Sequence, residues 1–145
     1  MHVHRPLVLG LLALLPLTGL VTGCRKKAPP TVVSVAYSFT KQFATLASGT
    51  GGEVAYLATE TLSDKTTQPG AGRTTNFEVF PNAQGVFTAH GSFTINKPTY
   101  TAATGTDGTI SELIVRCDNA NHQVQVRATD KADGTVTKFE FTCTP

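Results

Sequence analysis

The last third of the chain reads ISELIVRC at residues 110–117, QVQVRA at 123–128 and TVTKFEFTC at 135–143. Within each stretch apolar and polar residues alternate, which is the pattern of a β-strand with one buried face. The links between them, 118–121 and 130–134, are rich in Asp and Asn, and the second ends in Asp-Gly, a typical hairpin turn. These stretches therefore predict three consecutive strands.

Four earlier segments show the same alternation: residues 33–39, 54–58, 77–79 and 87–95. Seven short strands at this spacing predict an all-β fold, an antiparallel β-sandwich of about seven strands that is immunoglobulin-like in outline but has no Trp. The alternative is a small closed β-barrel with an interior pocket. The predicted inward residues are Val33, Val35, Tyr37, Phe39, Val54, Tyr56, Ala58, Phe77, Val79, Phe87, Ala89, Phe93, Ile95, Val124, Val126, Ala128, Phe139, Phe141 and Cys143.

One segment favours a helix instead. Phe39, Phe43 and Leu46 are spaced i, i+4 and i+7 around residues 41–48, and Gly49 follows as a C-cap. We therefore expect a short helix there.

Cys117 and Cys143 are an even pair, for which a disulfide is the expected arrangement in an exported protein. In a flat meander their strands would lie about 9–10 Å apart, beyond the roughly 7 Å that a disulfide allows between Cα atoms. A disulfide therefore requires either a curled sheet edge or a final strand that crosses to an opposing sheet, and the second favours a sandwich. Free buried thiols are the alternative, and a metal site has no histidine at ligand spacing to support it.

The N-terminus has the composition of an export signal. A weakly basic start with His2, His4 and Arg5 precedes an apolar run over residues 7–21, which is shorter than a membrane-spanning helix needs. Residues 1–23 are therefore expected to be a cleaved signal peptide.

The sequence Val21-Thr22-Gly23-Cys24 ends this run. It resembles the lipobox of bacterial lipoproteins, in which an aliphatic residue and two small residues precede the cysteine that receives the lipid. The resemblance implies a diacylglycerol on Cys24, cleavage just before it, and an acyl chain such as palmitate on the new amino group. Two or more acyl chains give durable membrane anchoring.

Residues 24–30 then form a short tether, in which three basic residues precede Ala28-Pro29-Pro30. Six residues reach at most about 20 Å, which keeps the domain of residues 31–145 near the bilayer. Arg25 stands where an Asp would signal inner-membrane retention in many related lipoproteins. The resemblance thus implies a bacterial cell-envelope protein, lipid-anchored at the outer membrane and facing the periplasm.

The charges exclude a nucleic-acid partner. The chain has 12 Lys and Arg residues and 10 Asp and Glu residues; all the acidic ones but only eight basic ones follow residue 30. This domain has no basic stripe with interleaved aromatic rings.

The sequence also provides no recognisable catalytic site. Its glycine-rich segments at 49–52 and 70–72 lack the Lys-Ser/Thr ending of a phosphate loop, and residues 130–134 lack the ligands of a calcium loop. His90 and His122, the histidines of the domain, have no nucleophile at a recognisable spacing and are expected at the surface. We expect no enzymatic activity, cofactor or metal.

These observations predict a membrane-anchored envelope lipoprotein with a non-enzymatic binding, assembly or structural role. The alternative is a carrier or inhibitor on a β-barrel that holds a lipid or small ligand between Phe77, Phe87 and Phe139. The first predicts a protein or other macromolecular partner, and the second a small-ligand partner.

Overall fold

The structure is a computed structural model that describes residues 26–145. Its described part consists of eleven strands in two sheets. One sheet, here called sheet A, contains β1 (Val32–Lys41), β3 (Gly51–Leu62), β4 (Thr67–Pro69), β6 (Gly85–His90), β7 (Phe93–Lys97) and β9 (Thr109–Cys117). Sheet B contains β2 (Thr45–Ala47), β5 (Thr74–Phe80), β8 (Thr99–Ala103), β10 (His122–Asp130) and β11 (Val136–Thr144).

The strand order is β1-β3-β9-β6-β7 in sheet A, with β4 beside β3, and β2-β11-β10-β5-β8 in sheet B. Every pairing is antiparallel except that of β2 with β11. The sequence prediction of an all-β sandwich is confirmed, with more strands than the predicted seven because the segment 87–95 divides into two strands and the three short strands β2, β4 and β8 are added.

The core lies between the sheets because the alternating apolar residues of both sheets face each other there. Tyr56 and Phe87 of sheet A and Phe77 of sheet B are almost fully buried, and the Phe77 ring meets the rings of Tyr56 and Phe87 edge-on at 5.5 and 6.2 Å. Side chains thus occupy the space where a closed barrel would hold its ligand. The two sheets share no strand in the described residues, so the alternative of a closed barrel is wrong.

The last three predicted strands do not form one meander. The hairpin of β10 and β11 is present, with Val126 opposite Phe139, but β9 belongs to the other sheet. The chain therefore changes sheet between β9 and β10. The sequence prediction placed this crossing one connection later, before the final strand. Cys117 and Cys143 therefore lie on different sheets, which is the arrangement that the predicted disulfide required.

The predicted helix over residues 41–48 is wrong. Residues Thr45–Ala47 form β2, which pairs with β11 through Leu46 and Cys143. The Phe43 ring lies at 4.8 Å from that of Phe141, and an added side chain on Gly52 would collide with Phe43. The helical spacing thus marks residues that do contact the core, but they reach it from an extended segment that crosses between the sheets.

The predicted strand over residues 87–95 is instead a hairpin. Its strands, β6 and β7, meet at a turn through Gly91, which has φ 56°. A register shift between Phe87 and Ala89 inserts an extra residue into β6, which reverses the alternation beyond it. As a result His90, predicted outward, turns towards Tyr100 of sheet B. Phe93 pairs with His90 and so projects from the same face of the sheet. It lies beside the turn of the hairpin, where it is 71% exposed although it was predicted to be buried.

Substitution of Phe77 by Ala tests the packing. Loss of a fully buried ring should lower the free energy of unfolding by about 3–5 kcal/mol, as measured by urea denaturation. Phe93→Ala makes the same chemical change at an exposed ring and should change it by less than about 0.5 kcal/mol. Similar values for the two variants would contradict the described core.

Candidate functional site

The predicted lipidation site, Cys24, and the signal peptide over residues 1–23 lie outside the described residues. The structure shows where the tether that follows them joins the domain. Thr31 exchanges two hydrogen bonds with Ser63: the Ser63 N–H donates to the Thr31 carbonyl at 2.8 Å, and the Thr31 N–H donates to Ser63 Oγ at 3.2 Å. The exposed residues Lys26 and Lys27 therefore leave the domain beside the turn between β3 and β4.

The second predicted pair, Cys117 and Cys143, meets at the opposite end of the sandwich. Both side chains are fully buried. The Cys117 thiol lies 3.5 Å from the carbonyl oxygen of Leu46, and the Gly49 N–H donates to the Cys117 carbonyl at 2.9 Å. The extended segment around β2 thus covers both cysteines.

The predicted disulfide is not formed in this structure, where both cysteines are free thiols. Burial raises the pKa of the Cys143 thiol to about 12, and a hydrogen bond with the Cys117 thiol adds to that effect. A thiolate is the reactive form of cysteine. The Cys143 thiol therefore stays protonated near neutral pH and is a poor nucleophile in the folded domain.

The tether end of the sandwich contains a charged cluster that the sequence analysis missed. Arg73 lies at its centre and forms ion pairs with Asp130 at 3.1 Å, Asp133 at 3.2 Å and Glu60 at 3.5 Å. The Asp130 side chain is fully buried, and its Oδ1 also accepts the backbone N–H of Ala132 at 2.8 Å. Since Glu60 is in sheet A and Asp130 in sheet B, Arg73 connects the two layers.

Tyr37 completes this cluster. Its hydroxyl donates to Asp133 Oδ2 at 2.6 Å, and the Arg73 guanidinium lies 5.5 Å from the centre of its ring. The Tyr37 hydrogen bond is the main reason that the pKa of Asp133 is below its usual range. Because its pKa is lower in the folded than in the unfolded chain, Asp133 stabilises the fold above its ordinary pKa range and loses this contribution as the pH falls.

No local signal in the sequence identifies this cluster, because its members come from four separate segments. Asp130 and Asp133 have the composition of a hairpin turn, which they also form, and Arg73 follows a glycine-rich loop. Only the packing of the sheets places Arg73 against them.

The two histidines of the domain have different surroundings. His122, predicted at the surface, is exposed at the start of β10. His90, also predicted at the surface, is half-buried, and its Nδ1 lies 3.0 Å from the Tyr100 hydroxyl. This pair joins β6 of sheet A to β8 of sheet B beside a groove of about 570 Å³ that Phe93 also lines.

Neither a metal centre nor a membrane-crossing helix occurs in the described part of the chain. Within residues 26–145 no three or more His, Cys, Asp or Glu side chains are grouped so as to hold a metal ion. The same residues contain no helix that is long and apolar enough to cross a bilayer.

Comparisons with known proteins identify similar folds only. No protein-family model matches the chain, and no curated protein matches it. Domains 4 and 5 of the S-layer protein SbsC are similar at TM-score 0.47 and 11% identity over 82% of this chain and 55% of that one. The Yersinia pseudotuberculosis adhesin InvE is similar at TM-score 0.48 and 14% identity over 77% of this chain and 32% of that one. The chain thus spans about half or less of each of these structures.

Substitution of Arg73 by Met tests the charged cluster. It leaves the buried Asp130 carboxylate without its cation, which should lower the free energy of unfolding by about 3–5 kcal/mol at neutral pH. Arg116→Met removes an exposed ion pair with Asp118 and should cost less than about 1 kcal/mol. The free energy of unfolding of both variants is measured by chemical denaturation. Equal losses of stability in the two variants would show that Arg73 does not hold the sheets together.

Proposed function

We propose that this protein is an envelope lipoprotein, anchored to a bacterial membrane through Cys24, whose β-sandwich has a non-enzymatic binding, assembly or structural role. The observation that carries the proposal is the lipobox-like sequence ending at Cys24, followed after six residues by a β-domain. The hydrogen bonds between Thr31 and Ser63 support it, because they fix where the tether leaves the domain. A sandwich attached in this way is a rigid module with a defined orientation at the membrane.

The orientation follows from the direction of β3. Its last residue, Leu62, is next to Ser63 and hence to the tether, whereas its first residue, Gly51, pairs with Arg116 beside the cysteine pair. A strand of twelve residues is about 40 Å long. The tether end, with the Arg73 cluster, would therefore face the bilayer, and the cysteine end would face away from it.

The basic tether fits this arrangement. Lys26 and Lys27 are exposed and would lie at the level of the lipid head groups. Anionic lipids attract each such cation by about 1 kcal/mol near the surface. In an organism with two membranes, Arg25 is compatible with transfer to the outer membrane and a periplasm-facing domain.

We also propose that Cys117 and Cys143 become a disulfide when the chain folds outside the cytoplasm. Support comes from the burial of both side chains and from their place on opposite sheets at the same end of the domain. Each thiol gives up a proton, and the two electrons reduce the disulfide of an oxidant such as oxidised glutathione. Closing this loop stabilises the fold by about 3 kcal/mol in the chain-entropy model.

The lipid anchor is tested by labelling growing bacteria that express the full chain with an alkyne-tagged palmitate analogue. The wild-type chain should take up the label and sediment with membranes, and Cys24→Ser should do neither. Cys143→Ser is the matched control, because it removes a buried thiol and should leave labelling unchanged. Unlabelled wild-type protein at normal expression, or a Cys24→Ser protein that stays labelled and membrane-bound, would overturn the proposal.

The disulfide is tested by trapping free thiols with an alkylating reagent in denaturant. Exported protein should be unmodified at Cys117 and Cys143 and should weigh less than the reduced chain by the mass of two hydrogens. Protein folded in the reduced state should resist oxidised glutathione until it is unfolded, because both side chains are buried and the raised pKa of Cys143 keeps that thiol protonated. Alkylation of both cysteines in the exported protein would contradict the disulfide.

A further inference from the structure

Strand β8 (Thr99–Ala103) presents an open edge of sheet B. Its flanking residues bond to β5: the Val79 N–H donates to the Pro98 carbonyl at 2.8 Å, and the Thr104 N–H donates to the Arg73 carbonyl at 3.0 Å. In an antiparallel pair the backbone groups of successive residues point alternately towards and away from the partner strand. Those of Thr99, Thr101 and Ala103 therefore point outwards, and within residues 26–145 no strand pairs with them.

This edge also lacks the features by which proteins protect open edges. Charged side chains, prolines and bulges normally prevent edge strands from pairing with other chains. The neighbouring edge strand β7 (Phe93–Lys97) has such features, since it ends in Lys97 and Asn96 adopts φ 50°. The five residues of β8 include no charge, proline or glycine, and pair with β5 without a register shift.

The side chains around β8 are self-complementary. Lys97 lines the groove beside Thr99, at the first residue of the strand, and Glu112 lines the groove beside Ala103, at its last residue. Phe93, which is 71% exposed, lines both grooves together with Tyr100 and so lies near the middle of the edge. The edge thus has a positive charge at one end, a negative charge at the other and an apolar ring between them. The same surface of a second copy, turned through 180°, is complementary to it.

We propose that β8 is a dimerisation edge that pairs antiparallel with β8 of a second copy of this chain. The twofold axis passes midway between the Thr101 residues of the two copies. Thr101 of one copy therefore faces Thr101 of the other, and Thr99 faces Ala103 of the other. In this register the outward N–H and C=O groups of Thr99, Thr101 and Ala103 are all paired. Lys97 of each copy approaches Glu112 of the other, and the two Phe93 rings cover the centre. Sheet B then continues across both copies.

Register-specific cross-linking tests the dimer in the full chain, in mild detergent with micelles in excess. Every variant in this experiment also carries Cys24→Ser. The introduced cysteine is then the exposed thiol of the domain, and the result does not depend on lipidation. Thr101→Cys should form a disulfide-linked dimer under mild oxidation, because residues facing each other across an antiparallel pair have Cα atoms about 5.5 Å apart. Thr142→Cys, an exposed position on β11, is the control and should stay monomeric.

The register gives a second comparison. Thr99→Cys alone and Ala103→Cys alone should not cross-link, whereas a mixture of the two should give the heterodimer. Dimers that form equally well at Thr99, Thr101 and Thr142 would reflect random collision and overturn the proposal. So would a Thr101→Cys chain that stays monomeric at every concentration examined.

Charge reversal completes the test. Lys97→Glu and Glu112→Lys should each reduce the yield of the Thr101→Cys dimer several-fold, because each places like charges together. The double variant should restore the yield, which a general loss of stability would not do. Circular dichroism and thermal unfolding confirm that each variant is folded, and an unchanged dimer yield in both single variants would overturn the proposed contact.

Discussion

The fold depends on the burial of one aromatic layer between the two sheets. Each ring in this layer comes from an alternating strand, and rings from opposite sheets, such as Tyr56 and Phe77, meet edge-on. Alternation alone gives each sheet an apolar face, but neither face can be shielded from water until the other covers it. The crossing of the chain between β9 and β10 follows from this requirement, because it brings the apolar face of the last hairpin over that of sheet A.

Different chemistry joins the sheets at the two ends of the sandwich. At the tether end, Arg73 neutralises the buried Asp130 and also reaches Glu60 on the other sheet. At the far end, β2 covers the two cysteines, which belong to opposite sheets. Both ends thus resist separation of the layers. This rigidity is compatible with the structural or binding role that we propose.

The β7–β8 side of the molecule differs from the rest of the surface. The register shift in β6 turns His90 inwards to meet Tyr100. Phe93, which pairs with His90 beside the hairpin turn, lies exposed near the open edge of β8. An aromatic ring that could pack inside but lies outside, next to unpaired backbone groups, is a feature of surfaces that bind other chains. The proposed membrane anchor and the β8 edge are independent of each other, because the proposed tether joins the end of the domain and β8 lies along its side.

The sequence by itself determined the fold class, most of the inward residues of the long strands and the lipobox-like segment, because period-two alternation and short contiguous motifs are local properties. Val33 of β1 is an exception: it was predicted inward and is 61% exposed, beside a register shift between Val32 and Ser34. The sequence could not determine which sheet each strand joins, since hydrophobic alternation is the same in either layer. It placed His90 outside because the bulge in β6 leaves no trace in the residue pattern, and it placed Phe93 in the core because the pattern does not show that this residue lies beside a hairpin turn. It interpreted residues 41–48 as a helix because three residues that contact the core happen to match that spacing. The Arg73 cluster and the open β8 edge exist only in the tertiary structure, because both arise from residues brought together across long separations in the chain.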